Sequence, residues 1–579
     1  MRRPLRYICA ALTAALLAAA APAEQFGDVA IEHNDPISNY SGSCHTVQGY
    51  CEHQFNVSNL SRTDAHQVTL GLPADDVSMR GGLSTLSRTV VVPPGSTVLV
   101  RLYQPAIEMY GSPGFGVAID GKKLNRVLAP AAAMPRHGMR RYWYRAGESI
   151  PMLCSQEAGR TLASAKLAPD DWQVYQHRQS PAAWSDNWLG YSRYEVVSMS
   201  GVEFRSAPAP VRLALTNYVR AGGLLILQGP SELSDLSLQK DGQRDSYWLG
   251  FGRIAVTRDT SDFAEMTKRL VSELKGSAKQ QLGTEQANAI MPVIESYQVP
   301  VRGMFLMVLV FAMAVGPLNI YVIARKERRL RMLWTVPVMS LVACGLIFGY
   351  ALFSEGLGVR QRTNALTVLD QETHTATTLG WTGYYSPLTV GRDLKFDYET
   401  ELTPQVEIDH YYSSQDSSRD MAIDWSSGQT LQRDWIVARA PQYFAFRKVQ
   451  SRHEQLAFTP TADGGLEVLN GLGSDVTQLD VLWDDGVLYS GRNIPAGAKM
   501  TLERLDQGPV EARSAVRMLC RQSWHLAPDA VANAPRDYLV AGSYVAQLAQ
   551  TVFVEQPVAT KEHRQKQVVF GLMRGNHAD

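Results

Sequence analysis

Two uncharged apolar stretches, residues 303–324 and 332–353, constrain this chain more than any other feature. Each is long enough to cross the roughly 30 Å hydrocarbon layer as a helix. Between them stand Arg325, Lys326, Arg328, Arg329 and Arg331, and a basic cluster of this kind marks the cytoplasmic side. The expectation is a two-helix transmembrane hairpin within 297–357, entered and left from the opposite side. Residues 1–23 give the same orientation independently. Arg2, Arg3 and Arg6 precede an apolar run, and Ala21-Pro22-Ala23 is a small-residue cleavage site, so the segment reads as a secretory signal. Together these features place the chain in a bacterial inner membrane, two-pass, with its N- and C-terminal domains periplasmic.

Within the hairpin, Gly316-Pro317 and Pro337 are expected to loosen the helices. Gly345 and Gly349 form a GxxxG spacing, with Ala312 and Gly316 as a small-residue counterpart, so these four are the candidate helix-packing positions. They serve either the hairpin itself or a homodimer. Asn319 is the main polar side chain at depth and reads as interhelical glue.

An oxidising compartment changes the reading of the cysteines. Cys44 and Cys51 enclose a short loop and are the candidate disulfide. A zinc site is the sharper alternative, because His33, His45 and His53 surround the pair, yet the spacing matches no standard zinc pattern. Cys154 and Cys520 either pair or stay buried.

A chain of 579 residues exceeds one hydrophobic core. The pattern divides it into a β-sandwich at 24–135, an α/β domain at 136–296, the hairpin, and a β-rich C-terminal domain at 358–579. In the first, strands near 55–59, 68–72 and 97–103 flank the Pro93-Pro94-Gly95-Ser96 turn. A similar pattern recurs at 494–505, and Asp485-Gly486 reads as a hairpin turn. Both ends are therefore expected to be immunoglobulin-like sandwiches. Between them, short apolar strands at 150–154, 172–175, 194–198 and 224–228 alternate with helix-length segments, which argues a parallel sheet. The best-defined helix spans 210–220, opened by Pro210 and stopped by Gly222-Gly223. The fold class is multidomain α+β. Lys+Arg and Asp+Glu balance at 56 each, so electrostatics disfavour a nucleic-acid partner.

The run from Tyr194 through Arg220-Ala221-Gly222-Gly223 to Leu227 resembles the class I glutamine amidotransferase-like domains of bacterial envelope proteins. Gly316-Pro317-Leu318-Asn319 and Trp334-Thr335-Val336-Pro337 likewise resemble the hairpin of uncharacterised two-pass membrane proteins that carry such a domain. The resemblance covers roughly 140–355 and implies a flavodoxin-like sheet. Amidotransferase chemistry requires a cysteine on a glycine-flanked elbow with a histidine and an acid, and here the chain departs. The strand ending at Gln228 continues Gly229-Pro230-Ser231-Glu232, and Cys154 is followed by Ser155-Gln156-Glu157. Neither Cys154 nor Ser231 has an elbow, so the domain reads as degenerate.

Other candidates have plainer roles. His137 and His177 read as surface or structural residues. Asp170-Asp171 and Asp484-Asp485 suit caps and turns. Trp184, Trp188, Tyr191 and Tyr194 form an aromatic stripe, a sugar platform or, more simply, core. No catalytic, cofactor-binding or metal-ligating residue is assigned, and no cofactor. The expected function is a non-catalytic interaction or assembly component of the cell envelope, with membrane lipid and envelope proteins as partners. An accessory subunit of an ABC-type transport complex and a periplasmic hydrolase are the rival readings.

Overall fold

The computed structural model describes residues 23–34, 49–72, 83–105, 114–125, 150–164, 172–176, 180–229, 245–257, 284–294, 301–324, 332–355, 358–388, 393–405, 420–505 and 527–573, with a few shorter pieces. The secretory signal, Cys44, His45, His137, Asp170, Asp171, His177, Ser231, Cys520 and the basic loop Arg325, Lys326, Arg328, Arg329 and Arg331 lie outside the described residues.

The N-terminal part contributes eight strands: β1 (Glu24–Phe26), β2 (Val29–Asn34), β3 (Tyr50–Asn59), β4 (His66–Leu72), β5 (Leu83–Val92), β6 (Thr97–Pro105), β7 (Gly116–Ile119) and β8 (Lys122–Lys123). Period-two alternation explains the faces. On β4, Val68, Leu70 and Leu72 are buried while the intervening residues are partly exposed. One sheet runs β1-β2-β3-β6, all antiparallel. The β5–β6 connection turns at Gly95, whose φ of 62° suits a residue without Cβ.

The α/β part comprises β9 (Ile150–Cys154), α1 (Gln156–Ser164), β10 (Trp172–Gln176), β11 (Val196–Ser200), α2 (Gly201–Ser206), α3 (Ala209–Arg220), β12 (Leu224–Gln228), β13 (Gln239–Lys240), β14 (Ser246–Leu249) and β15 (Gly252–Thr257). Its sheet has the order β10-β9-β11-β12-β15-β14-β13. The first five strands are parallel, and β14 and β13 return antiparallel. Buried β-branched and leucine runs such as Leu224-Leu225-Ile226-Leu227 suit a sheet covered on both faces. α3 packs Val211, Leu215, Tyr218 and Val219 inward, and Gly222 at φ 103° ends it.

Three helices follow the short α4 (Thr284–Ile290): α5 (Val301–Met313), α6 (Asn319–Ala324) and α7 (Met332–Glu355). A π-helical turn, Ala314–Leu318, joins α5 to α6 around Pro317, which has no N–H for the regular ladder. Thr335 on α7 donates to Asn319 Oδ1 at 3.3 Å, so the Asn319 amide does bridge the helices. Among the described residues no helix is long and apolar enough to cross a membrane. α5 rises only about 20 Å before the π turn. The expected two-pass hairpin, and the inner-membrane placement built on it, is corrected to a packed pair of apolar helices. The pair keeps an apolar exterior: Phe305, Leu306, Val310, Leu341 and Phe348 are all well exposed.

The C-terminal part supplies β16 (Arg360–Asp370), β17 (Thr375–Tyr385), β18 (Leu394–Phe396), β19 (Thr400–Gln405), β20 (Met421–Asp424), β21 (Gln429–Arg433), β22 (Gln442–Ser451), β23 (Gln455–Pro460), β24 (Leu466–Gly471), β25 (Val476–Leu482), β26 (Leu488–Ile494), β27 (Lys499–Leu505), α8 (Ala527–Asn533), β28 (Ser543–Leu548) and β29 (Glu562–Leu572). Eleven of these strands form one sheet, β19-β22-β17-β16-β29-β28-β25-β26-β27-β24-β23. Asp485-Gly486 turns between β25 and β26, with Gly486 at φ 80° and Val487 N–H donating to Asp485 Oδ1 at 2.9 Å.

The remaining three strands cross to the other end of the molecule. β20 pairs in parallel with β5, giving a sheet of order β18-β21-β20-β5-β4-β7-β8. The second sheet of the N-terminal sandwich is thus completed by residues beyond 393. The expectation of two separate immunoglobulin-like sandwiches flanking a membrane hairpin is corrected: among the described residues the fold is mostly β, in four sheets, and the first sandwich borrows strands from the C-terminal part. One apolar core joins Val57 and Leu70 of the sandwich, Leu215 and Leu227 of the α/β part, and Phe444 and Phe446 of β22. A second packs Trp248 and Phe251 against Leu366, Val368 and Phe570.

Candidate functional site

In an open parallel sheet, ligands bind where the strand order reverses, beyond the carboxyl ends of the strands. Here that point lies between β9 and β11, where Cys154 pairs with Ser198. Most of its polar groups are used internally, although Ser198 Oγ is buried without a hydrogen-bond partner. Ser155 caps α1 by accepting from Ala158 N–H at 3.2 Å, and Ser155 N–H donates to Ser198 O at 2.9 Å. Ser200 and Glu203 form a capping box at α2, with Ser200 N–H donating to Glu203 Oε2 at 2.9 Å. The carboxylate of Glu203 fills the position an anion would take. Cys154 is fully buried, and that burial pushes its thiol up to about 12. A thiol this reluctant to ionise is a poor nucleophile.

The concentration of charge lies elsewhere, where the three parts meet. Tyr50, at the start of β3, donates to Leu402 O at 3.3 Å and accepts from Leu402 N–H at 2.9 Å and from Gln429 Nε2 at 2.6 Å. Burial pushes its phenol well above the usual range, so it stays neutral. Next to it, Gly49 N–H donates to Glu401 Oε1 at 3.0 Å. The other Glu401 oxygen pairs with Arg447 of β22, both side chains 1% exposed. Arg447 also donates to Ser192 O at 2.9 Å and Ala221 O at 3.3 Å, and its guanidinium stacks over Trp188 at 5.7 Å. The Arg447–Glu401 pair therefore ties the α/β part, the N-terminal sandwich and the large sheet.

A second cluster surrounds Glu52 on β3. Ser185 Oγ donates to its Oε1 at 2.9 Å and Tyr103 Oη at 3.2 Å. Arg101 Nε lies 3.1 Å from the same oxygen, an ion pair by distance that is not aimed as a hydrogen bond. Arg101 Nη2 reaches on to Asp186 at 2.9 Å.

A third cluster lies within the large sheet. Lys448 Nζ pairs with Glu555 and with Asp397 at 2.7 Å. The Lys448 hydrogen bond holds the Asp397 carboxyl below its usual range. Beside it is a cavity of about 10 Å³ lined by Thr382, Tyr384, Thr400, Phe446 and Phe553, room for about one water.

The aromatic stripe proves to be core: Trp184, Trp188, Tyr191 and Tyr194 are all buried, and Trp188 Nε1 donates to Glu399 O at 3.2 Å. That excludes a sugar platform at these rings. The expected disulfide is also corrected. Among the described residues no disulfide is present, and Cys51 Sγ instead accepts from Arg193 Nη1 at 2.7 Å inside the junction. His33 and His53 pack their rings with Phe55 and Phe115, and His53 meets Gln104 at 3.1 Å. Among the described residues no three His, Cys, Asp or Glu side chains are placed to hold a metal ion. A Cβ added at Gly316, Gly345 or Gly349 would meet nothing within 4 Å, whereas one at Gly303 would overlap the Tyr350 ring. Within the chain, the tight helix contact is therefore at Gly303.

Glu52, Glu401, Arg447 and Lys448 were not singled out by their residue pattern. Arg447-Lys448 interrupts an apolar run, Tyr443-Phe444-Ala445-Phe446, and that interruption is the one signal that could have marked them. No family model matches the chain, and no curated protein matches it.

Proposed function

We propose that this chain is a non-catalytic interaction and assembly component, with an α/β part that resembles amidotransferase-like domains but whose buried Cys154 is a poor nucleophile. The observation that carries the reading is the apolar exterior of the α5–α7 pair. Phe305, Leu306, Val310, Leu341 and Phe348 present large side chains outward over two adjoining helices. Apolar surface of that extent on a folded protein marks a contact face. The capped strand ends around Cys154 support the non-catalytic half of the reading.

The test places a photo-crosslinking amino acid at Leu341, in the full chain and in its native cells. The expected outcome is a discrete protein adduct that is lost when the crosslinker is moved to Asp463, on the exposed turn between β23 and β24. Absence of any protein adduct at Leu341 overturns the proposal, and an adduct with a second copy identifies the partner as the chain itself. Hydrolytic activity abolished by Cys154→Ala would remove the non-catalytic half.

A further inference from the structure

Glu52 is the least comfortable charge at the junction. Its side chain is 1% exposed, and the three groups around it all address Oε1. Oε2 is buried with no hydrogen-bond partner. Gly190 makes room for it, since a Cβ there would lie 2.5 Å from that oxygen. A carboxylate buried with one oxygen unpartnered, and with its one neighbouring cation shared with Asp186, is poorly satisfied when ionised.

The groups facing it come from two elements besides its own. β6 presents Arg101 and Tyr103, and the 184–191 segment of the α/β part presents Ser185, Asp186 and Tyr191. Gln54, two residues along β3, lies beside it and draws the carboxyl downward. Of these only Arg101 is a cation, and Asp186 shares it. Tyr103 and Tyr191 are pushed well above the phenol range by burial, and the Glu52 charge adds to the shift, so both stay neutral.

We propose that Glu52 is a pH-sensitive latch between the N-terminal sandwich and the 184–191 segment, closed when the carboxyl is protonated and loosened when it ionises. Burial pushes Glu52 up to about 7 from an ordinary value of 4.5, with Arg101 pulling the other way. When the junction opens, water reaches the carboxyl and the ordinary value returns. A raised acid stabilises the closed form fully below 4.5, and that contribution falls as pH rises toward 7. Above that value the loss is complete. The open-to-closed ratio is then expected to rise about tenfold between pH 6 and pH 8.

Hydrogen exchange of the 184–191 amides in the full chain, corrected for the intrinsic pH dependence, reads this directly. The expected result is that tenfold rise in the parent chain and a flat profile in Glu52→Gln. Ser185→Ala removes a donor that favours the ionised carboxylate, so its step should move to higher pH. A parent profile without a step, or the same step in Glu52→Gln, overturns the latch. Should Glu52→Gln fail to fold, an unmoved step in Ser185→Ala overturns it equally.

Discussion

Arg447 sits among Phe444, Phe446 and Val449 on β22, where no water solvates its charge. Its charge is tolerated because Glu401, two backbone carbonyls and the Trp188 ring surround it. Buried pairs of this kind add little over an apolar replacement, but half of one is expensive. Arg447→Ala and Glu401→Gln should each lower stability by about 3–5 kcal/mol, while Arg447→Met with Glu401→Leu recovers most of the loss. Denaturant unfolding followed at the first transition checks this; equal losses in the double and single variants would refute it. Such residues are hard to read in a sequence. A charged residue on a strand ordinarily marks the solvent face, and only a second layer from elsewhere in the chain turns that face inward.

At the scale of elements, local signals were reliable where they were local. Pro210 and Gly222-Gly223 bracket α3, the run 224–228 is β12, and Asp485-Gly486 turns β25 into β26. Proline, glycine and side-chain period act over a few residues, so they specify these elements without help. The apolar stretch 303–324 shows the limit. Its composition fits a spanning helix, but Pro317 withdraws an N–H from the ladder and the backbone answers with a π turn. Of the small residues, Gly316, Gly345 and Gly349 make no close approach within the chain, where Gly303 does, which bears on the hairpin alternative alone and leaves packing between copies as an expectation. Gly303 lies against Tyr350, so Gly303→Leu should part α5 from α7. A cysteine pair replacing Asn319 and Thr335 would report it, its disulfide yield falling severalfold in Gly303→Leu and returning with Tyr350→Ala. An unchanged yield would mean that the helices are held together at other points.

For the whole molecule, the decisive contact is β20 on β5. Ser84 Oγ donates to Met421 O at 2.9 Å across 337 residues. Nothing near either strand announces this, because pairing between distant segments leaves no local period to read. Fragments 23–299 and 357–579, produced together without the helical pair, should therefore bind each other tightly enough to copurify. Each alone should aggregate, and a well-behaved 23–299 fragment would contradict the shared sheet. The same pairing has a consequence for synthesis. At about 5–20 residues per second, roughly 20–70 s separate the emergence of β5 from that of β20. Throughout that interval the β5 edge, rich in valine and threonine, offers unpaired backbone to any passing strand. A holdase on the first sandwich would shield that edge until the last third of the chain has been made.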